Sequence, residues 1–125
     1  MILIVDSWAW LASGEEGRIA DRCLKYLNDK NNGIFTTVLN LYEIYYRVRD
    51  GYGEEQAAEF IESVKNRATV MDIDSDLALA ASKVHIREKL PAIDSFVYAA
   101  SLKLNAKILT GDPHFKGKEN VIFIE

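Results

Sequence analysis

The chain has 125 residues and a mass of 14.1 kDa, so residues 1–125 are expected to form a single domain. Hydrophobic residues make up 49% and charged residues 27%, which excludes an intrinsically disordered protein. Nineteen acidic residues outweigh 15 basic ones and give a net charge of −4. This balance argues against a protein that coats nucleic acid through a generally basic surface.

Membrane and secretory signals are also missing from the sequence. The mean hydropathy is −0.08, and no apolar run approaches the roughly 18 residues that a membrane span needs. The first residues lack the basic region and cleavage site of a signal peptide. A single cysteine, Cys23, excludes a disulfide framework and a cysteine-based zinc site. We therefore expect a cytoplasmic protein with no membrane partner.

The apolar pattern of the first half predicts strands that alternate with helices. Ile2–Val5 is a continuous apolar run, typical of a strand that is buried on both faces of a parallel sheet. Asp6 ends this strand. The elements expected next are a short helix over residues 8–12, a helix over 17–31, a strand over 34–36, and helices over 37–50 and 54–67.

The second half continues this alternation. The elements expected are a weak strand over 69–72, an alanine-rich helix over 75–89, an almost wholly apolar helix over 93–104, a strand over 107–110, a turn over 111–113 and a last strand over 121–124. Strands separated by helices indicate a mostly parallel sheet covered by helices. Ligands of such sheets lie beyond the carboxyl ends of the strands. Residues after Val5, Thr36 and Thr110 should therefore lie close together.

Three acidic residues occupy positions that have ordinary structural explanations. Asp6 is placed to cap the helix that follows the first strand. Glu43 can pair with Arg47 one helical turn later. Asp112 lies in Gly-Asp-Pro, where aspartate is common in turns. Taken one at a time, these structural roles remain open alternatives to a functional role.

Asp94 is harder to explain by structure alone. It is the only charged residue between Lys89 and Lys103, in a segment that is otherwise apolar or small and polar. An ionised carboxylate in such a segment is costly unless something pairs with it. Capping of the helix after Pro91 is one explanation. A metal-binding or catalytic role is at least as consistent with the sequence.

The positions of these four acids along the predicted fold suggest that one cleft receives them all. Two unit charges 4 Å apart repel by about 4 kcal/mol at an effective dielectric constant of 20. A bound divalent cation would offset this repulsion, and ligands that are all oxygen suit Mg²⁺ or Mn²⁺. We therefore expect a Mg²⁺ or Mn²⁺ site.

Four short motifs follow one another along the chain: Ile4-Val5-Asp6-Ser7, Thr37-x-x-Asn40-x-x-Glu43, Leu90-Pro91-x-x-Asp94-Ser95 and Leu109-Thr110-Gly111-Asp112-Pro113-His114-Phe115. In this order they resemble the motifs of the PIN domain, and in particular those of the short VapC toxin ribonucleases of type II toxin–antitoxin modules. Each motif is short, but together they span nearly the whole chain. The resemblance implies a three-layer α/β fold and a metal-dependent ribonuclease. It also implies a homodimer and a small antitoxin protein whose tail covers the active cleft.

The resemblance also assigns roles to individual residues. The acidic residues of the family carry over to Asp6, Glu43, Asp94 and Asp112, and its hydroxyl positions to Ser7 and Thr110. We expect Asp6 and Asp94 to hold the main metal ion, with Asp112 and Glu43 binding it through water or completing a second site. Ser7 and Thr110 are expected to orient carboxylates or water by hydrogen bonds.

Other polar residues are given structural or substrate-binding roles. His85 is interpreted as a surface or partly buried helix residue, and His114 as a turn residue that acts with Phe115, although contact with substrate stays open. Asp72, Asp74 and Asp76 match no motif and are expected in turns and helix starts. Bases that flank the acids could contact RNA phosphates or could simply be solvated; they are Arg47, Arg49, Arg87, Lys89, Lys116 and Lys118.

Aromatic residues are plentiful on the early helices, which suits a partner surface, although core packing with chance exposure explains them as well. Trp8 and Trp10 lie two residues apart, so we expect one in the core and the other exposed.

Three rival functions are weighed against this interpretation. A haloacid-dehalogenase-type phosphatase needs a second aspartate two residues after the first, and Trp8 stands there. A dinucleotide-binding fold needs Gly-x-Gly-x-x-Gly after the first strand, which is absent. A non-catalytic PIN-like RNA-binding or scaffolding protein remains the main alternative, and an incomplete set of acids would favour it.

Overall fold

The computed structural model describes residues 1–125, in which five strands alternate with six α-helices. The strands are β1 (Ile2–Val5), β2 (Gly33–Thr37), β3 (Thr69–Met71), β4 (Lys107–Thr110) and β5 (Val121–Phe123). The helices are α1 (Ser7–Ser13), α2 (Arg18–Leu27), α3 (Val38–Tyr52), α4 (Glu54–Arg67), α5 (Ser75–Glu88) and α6 (Ala92–Leu104). A 3₁₀ turn, Pro113–Phe115, joins β4 to β5.

The five strands form one sheet in the order β3-β2-β1-β4-β5, and every neighbouring pair is parallel. Helices cover both faces, which confirms the predicted three-layer α/β fold with a sheet that is fully parallel. No helix combines the length and the apolar character needed to cross a bilayer.

The central strand β1 divides the core into two layers because successive side chains point to opposite faces. Leu3 and Val5 pack in a cluster with buried residues of α1, α2, α3 and α4. Ile4 packs on the other face with buried residues of α5 and α6. Since both faces of β1 are covered, its uninterrupted apolar run is explained.

The direction of winding reverses beside β1. The chain passes outward from β1 through β2 to β3, then returns to place β4 on the other side of β1. The backbone N–H of Asp6 donates to the carbonyl of Leu109 at 3.1 Å, and the Thr36 hydroxyl donates to the carbonyl of Val5 at 3.0 Å. The carboxyl ends of β1, β2 and β4 therefore meet at the position where such sheets bind ligands.

Gly111, directly after β4, is required by close packing at this edge. A Cβ atom at this position would lie 2.5 Å from the carbonyl oxygen of Ile124 and closer still to the Trp8 ring. Only glycine lets the chain pass between these two groups.

The predicted element bounds differ from the structure mainly in α2. This helix ends at Leu27 instead of continuing to residue 31. The Asn32 amide donates to the carbonyl of Tyr26 at 3.0 Å, and Asn32 Oδ1 accepts from the amino terminus at 3.1 Å. These bonds fold residues 28–32 into a turn, and Gly33 begins β2 instead of ending the helix. The other predicted strands and helices either match the structure, as β1, α4 and β4 do, or differ by one or two residues at their ends.

Candidate metal-binding active site

Asp6 lies at the carboxyl end of β1 and is only 2% exposed. It occupies the N-cap position of α1, but its side chain makes no capping hydrogen bond. Its Oδ2 instead accepts a 2.8 Å hydrogen bond from the Thr110 hydroxyl at the end of β4. The capping explanation for this side chain is therefore wrong, and the expected orienting contact by Thr110 is present.

Asp94 lies in the first turn of α6 and does not cap it either. Pro91 occupies the N-cap position, and no side chain caps the helix. The Asp94 carboxylate is largely buried and faces the residues that follow β4. Its position near the positive end of the α6 dipole gives the charge partial support. A capping role therefore does not explain why Asp94 is buried at this edge of the sheet.

Asp112 shapes the turn after β4 and also faces Asp94. Its Oδ1 accepts from the backbone N–H of His114 at 2.9 Å, and its own N–H donates to the Thr110 hydroxyl at 3.0 Å. The turn role considered for Asp112 is therefore present. Its charge raises the pKa of both Asp6 and Asp94, so the same side chain also lies in one acidic group with them.

The fourth acid, Glu43, reaches the cluster from α3. It lies 3.8 Å from Arg47, so the ion pair that sequence spacing allows is formed. Its charge also raises the pKa of Asp94. Glu43 thus belongs both to a pair on the helix surface and to the edge of the acidic cluster, which contains Asp6, Glu43, Asp94 and Asp112.

The charges of this cluster are poorly compensated by protein groups. Burial, and then the charge of Asp94, raise the pKa of Asp6 to about 7, although the Thr110 hydroxyl acts in the opposite direction. Burial, and then the charge of Asp112, raise the pKa of Asp94 to about 6. Two carboxylates that resist ionisation in a shared cleft are the expected electrostatic setting for a bound cation.

The donor set fits a divalent metal ion. One carboxylate oxygen each from Asp94 and Asp112 and one ring nitrogen of His114 lie within 4.8 Å of one another. Asp6 is not one of these three residues, but the charges of Asp94 and Asp112 raise the pKa of its carboxyl group. Oxygen donors of this kind suit Mg²⁺ and Mn²⁺.

The His114 ring is a feature that sequence reasoning did not anticipate. Its Nδ1 lies 2.9 Å from Asp112 Oδ1 and 3.4 Å from Asp94 Oδ2. His114 does lie in the expected turn beside the buried Phe115. However, its ring points at the acidic cluster, and only the spacing Asp112-x-His114 hinted at this.

A buried hydrogen-bond network joins Thr37, Asn40 and Ser7, the residue that follows Asp6. The Asn40 side-chain amide donates to the Ser7 hydroxyl at 2.9 Å, which leaves the Ser7 proton free to donate. Asn40 Oδ1 accepts from the backbone N–H of Thr37 at 3.1 Å and from its hydroxyl at 2.8 Å. Sequence reasoning gave Asn40 no role, although its place three residues after a helix-capping threonine indicated one.

A groove of about 790 Å³ is lined mostly by residues of α1, α2, α3 and α4, and the four acids are not among them. Its apolar lining includes Trp8, Leu11, Ile19 and Phe60. Arg47 also lines it and lies 3.8 Å from Glu43, which is the one link between the groove and the acids. Trp10, in contrast, is buried and donates to the Thr36 hydroxyl at 3.2 Å, so the prediction of one core tryptophan is confirmed. Trp8 is half-buried instead of exposed, because it packs against the core.

Most of the bases that flank the acids are engaged in ion pairs. Five of the six pair with carboxylates: Arg47 with Glu43, Arg49 with Asp50 and Glu54, Arg87 and Lys118 with Glu88, and Lys116 with Glu125. Four of these bases have exposed side chains, and such pairs are weak, so a phosphate can compete for them. Lys118, in contrast, is only 22% exposed. Lys89 makes no such pair and is exposed at the end of α5.

Several solved structures of toxins and toxin–antitoxin complexes share the fold of this chain. VapC20 of Mycobacterium tuberculosis, a sarcin-ricin loop cleaving toxin, is 18% identical with a TM-score of 0.82 over 98% of this chain and 99% of that one. VapBC2 of Rickettsia felis, solved with a promoter DNA fragment, is 19% identical with a TM-score of 0.76 over 98% and 97%. VapBC-1 of nontypeable Haemophilus influenzae is 20% identical with a TM-score of 0.69 over 90% and 87%.

No curated protein matches the chain by sequence. The PIN domain family model, in contrast, matches residues 3–120, which include all four acids and both hydroxyl residues of the predicted site. The resemblance drawn from four short motifs is thereby confirmed at the level of the family. The fully parallel sheet with acids at the strand ends agrees with this match, and the chain belongs to the PIN domain family.

Proposed function

We propose that residues 1–125 form one nuclease domain that cleaves RNA with the help of Mg²⁺ or Mn²⁺. The observation that carries this proposal is the acidic cluster itself, in which Asp6 and Asp94 have pKa values raised to about 7 and about 6. Buried carboxylates grouped without a bound cation would lower the stability of the fold. A site that holds a cation, and with it a phosphodiester, gives the cluster a function.

Asp6 and Asp94 are the residues that would hold the main ion, with Asp112 and Glu43 completing its surroundings. A bound divalent cation would lower the pKa of water and stabilise charge on the phosphate. Thr110 fixes the orientation of the Asp6 carboxylate through its hydrogen bond. Ser7, held by Asn40, keeps its hydroxyl proton available to orient a carboxylate or a water molecule.

RNA is the substrate that the family and the surroundings of the site support best. Bases flank the acids in the sequence despite the net negative charge, and the exposed ion pairs of Arg47 and Lys116 can be exchanged for phosphate contacts. Among the solved structures that share this fold is the sarcin-ricin loop cleaving toxin described above.

We further propose that the protein is the toxin of a toxin–antitoxin pair and forms a homodimer. Several structures with this fold are VapBC complexes. The apolar groove is a suitable place for an antitoxin segment, and the pair of its lining residue Arg47 with Glu43 marks the side from which a tail would reach the active cleft. Exposed tyrosines on α3, including Tyr42 and Tyr46, whose rings lie 5.4 Å apart, suit a surface between two copies.

The test is Asp94→Asn, assayed on a labelled single-stranded RNA with Mn²⁺. Loss of one metal ligand should lower the cleavage rate by about 10²-fold or more. Asp74→Asn is the matched control, because Asp74 Oδ1 caps α5 by accepting from Leu77 N–H at 2.8 Å and asparagine caps equally well. Near wild-type cleavage by Asp94→Asn would refute the proposed site. RNA binding without cleavage in the wild type would favour the non-catalytic alternative.

A further inference from the structure

The ring of His114 is held against two acids by the backbone of the turn. Pro113 opens the 3₁₀ turn, and Phe115, fully buried, anchors it in the core. Between them, the backbone N–H of His114 is bonded to Asp112 Oδ1 at 2.9 Å. The side chain is 58% exposed, so core packing does not explain why the ring faces the acids.

The spacing of the three donor atoms resembles that of neighbouring ligands around one ion. Donors at right angles around an ion with bonds of about 2.1 Å lie roughly 3.0 Å apart, and at tetrahedral angles roughly 3.4 Å. His114 Nδ1 is 2.9 Å from Asp112 Oδ1 and 3.4 Å from Asp94 Oδ2. A single hydrogen on Nδ1 can bond well to only one of these oxygens, whereas an ion can bind all three atoms.

We propose that His114 is a nitrogen ligand of the divalent ion, together with Asp94 and Asp112. This inference rests on the proposed metal-dependent function and adds a preference among ions. Imidazole suits later first-row ions such as Co²⁺ better than Mg²⁺, which favours oxygen. A mixed nitrogen–oxygen centre therefore binds Co²⁺ more tightly, relative to Mg²⁺, than carboxylates alone would.

The first measurement compares calorimetric affinities for Co²⁺ and for Mg²⁺ in the wild type and in His114→Ala. We expect the ratio of the two affinities to fall on the order of tenfold, because only the Co²⁺ complex depends strongly on imidazole. His85→Ala is the control, since His85 is the only other histidine and lies on α5, with Nδ1 2.6 Å from the carbonyl of Leu90. The ratio of Co²⁺ affinity to Mg²⁺ affinity in His85→Ala should equal that of the wild type.

The second measurement is pulsed electron paramagnetic resonance on the wild type loaded with Mn²⁺. Coupling to a directly bound ¹⁴N nucleus is expected, and it should persist in His85→Ala and disappear in His114→Ala.

The possible results separate the ligand proposal from the proposed function. An equal loss of Co²⁺ and Mg²⁺ affinity in His114→Ala, or Mn²⁺ binding without nitrogen coupling, would overturn the role of His114. Metal-dependent RNA cleavage by the same wild-type preparation would then still support the nuclease. A wild type that binds no divalent ion would overturn both.

Discussion

Asp6→Asn should stabilise the metal-free protein, and the gain should depend on pH. The pKa of Asp6 is about 7 in the folded chain against an ordinary value of 3.8. The folded state therefore holds this proton more tightly than the unfolded state. Asp6 therefore adds its whole stabilising contribution to the free energy of unfolding below about pH 4, and this contribution is lost as the pH rises through about 7.

The magnitude follows from the size of the shift. A difference of about 3 pKa units corresponds to about 4 kcal/mol, which is the largest stabilisation that Asp6→Asn can produce above pH 7 in EDTA. Between about pH 5 and about pH 8, the advantage of the variant should grow by about 2.7 kcal/mol. Asparagine keeps an acceptor for the Thr110 hydroxyl, so that bond need not be lost.

Urea unfolding in EDTA, followed by circular dichroism at these two pH values, measures the effect. Asp74→Asn, the exposed helix cap, should differ from the wild type by no more than about 0.5 kcal/mol at both. A stability difference between Asp6→Asn and wild type that is the same at both pH values would refute the reasoning. So would a variant that is less stable at about pH 8, because buried charge would then not be the main cost at this position.

Three further predictions concern the metal, the packing and the assembly. Mn²⁺ or Mg²⁺ at a hundredfold excess over Kd should add about 2.7 kcal/mol to stability, seen as a higher Tm than in EDTA, whereas monovalent salt at matched ionic strength should not. An absent shift would remove the reason for grouping the four acids. Gly111→Ala should cost about 1–3 kcal/mol in the same unfolding assay, because the added Cβ collides with the Ile124 carbonyl and the Trp8 ring; an unchanged stability would contradict this packing. Light scattering should give twice the 14.1 kDa chain mass at micromolar concentration, and a monomer mass would speak against the homodimer.

The sheet and its helices could be predicted because local signals agree with the fold. Helix α4 begins and ends at the predicted residues, since Gly53, with φ of 93°, separates it from α3 and an extended Ala68 follows it. The early end of α2 could not be predicted, because it depends on Asn32 bonding to Tyr26 and to the amino terminus. Such contacts arise only once the strand beside them is in place.

The four acids could be assigned to one cleft because parallel strands bring their carboxyl ends together. What the sequence could not decide was whether each side chain caps a helix or faces that cleft. Asp6 has the N-cap position without the capping bond, whereas Asp74 has both. The direction of the His114 ring was equally hidden, because it is set by contact with Asp94 on a different element.

The hydrogen bond between Thr110 and Asp6 joins residues 104 positions apart, and β4 pairs directly with β1 at the centre of the sheet. A growing chain on the ribosome can therefore pair β1 with β2 and β2 with β3 well before it can build the acidic cluster. At about 5–20 residues per second, at least several seconds separate the synthesis of Asp6 from that of Thr110. During that interval the nascent chain has no assembled acidic cluster, so the proposed nuclease activity would arise only after β4 has been made.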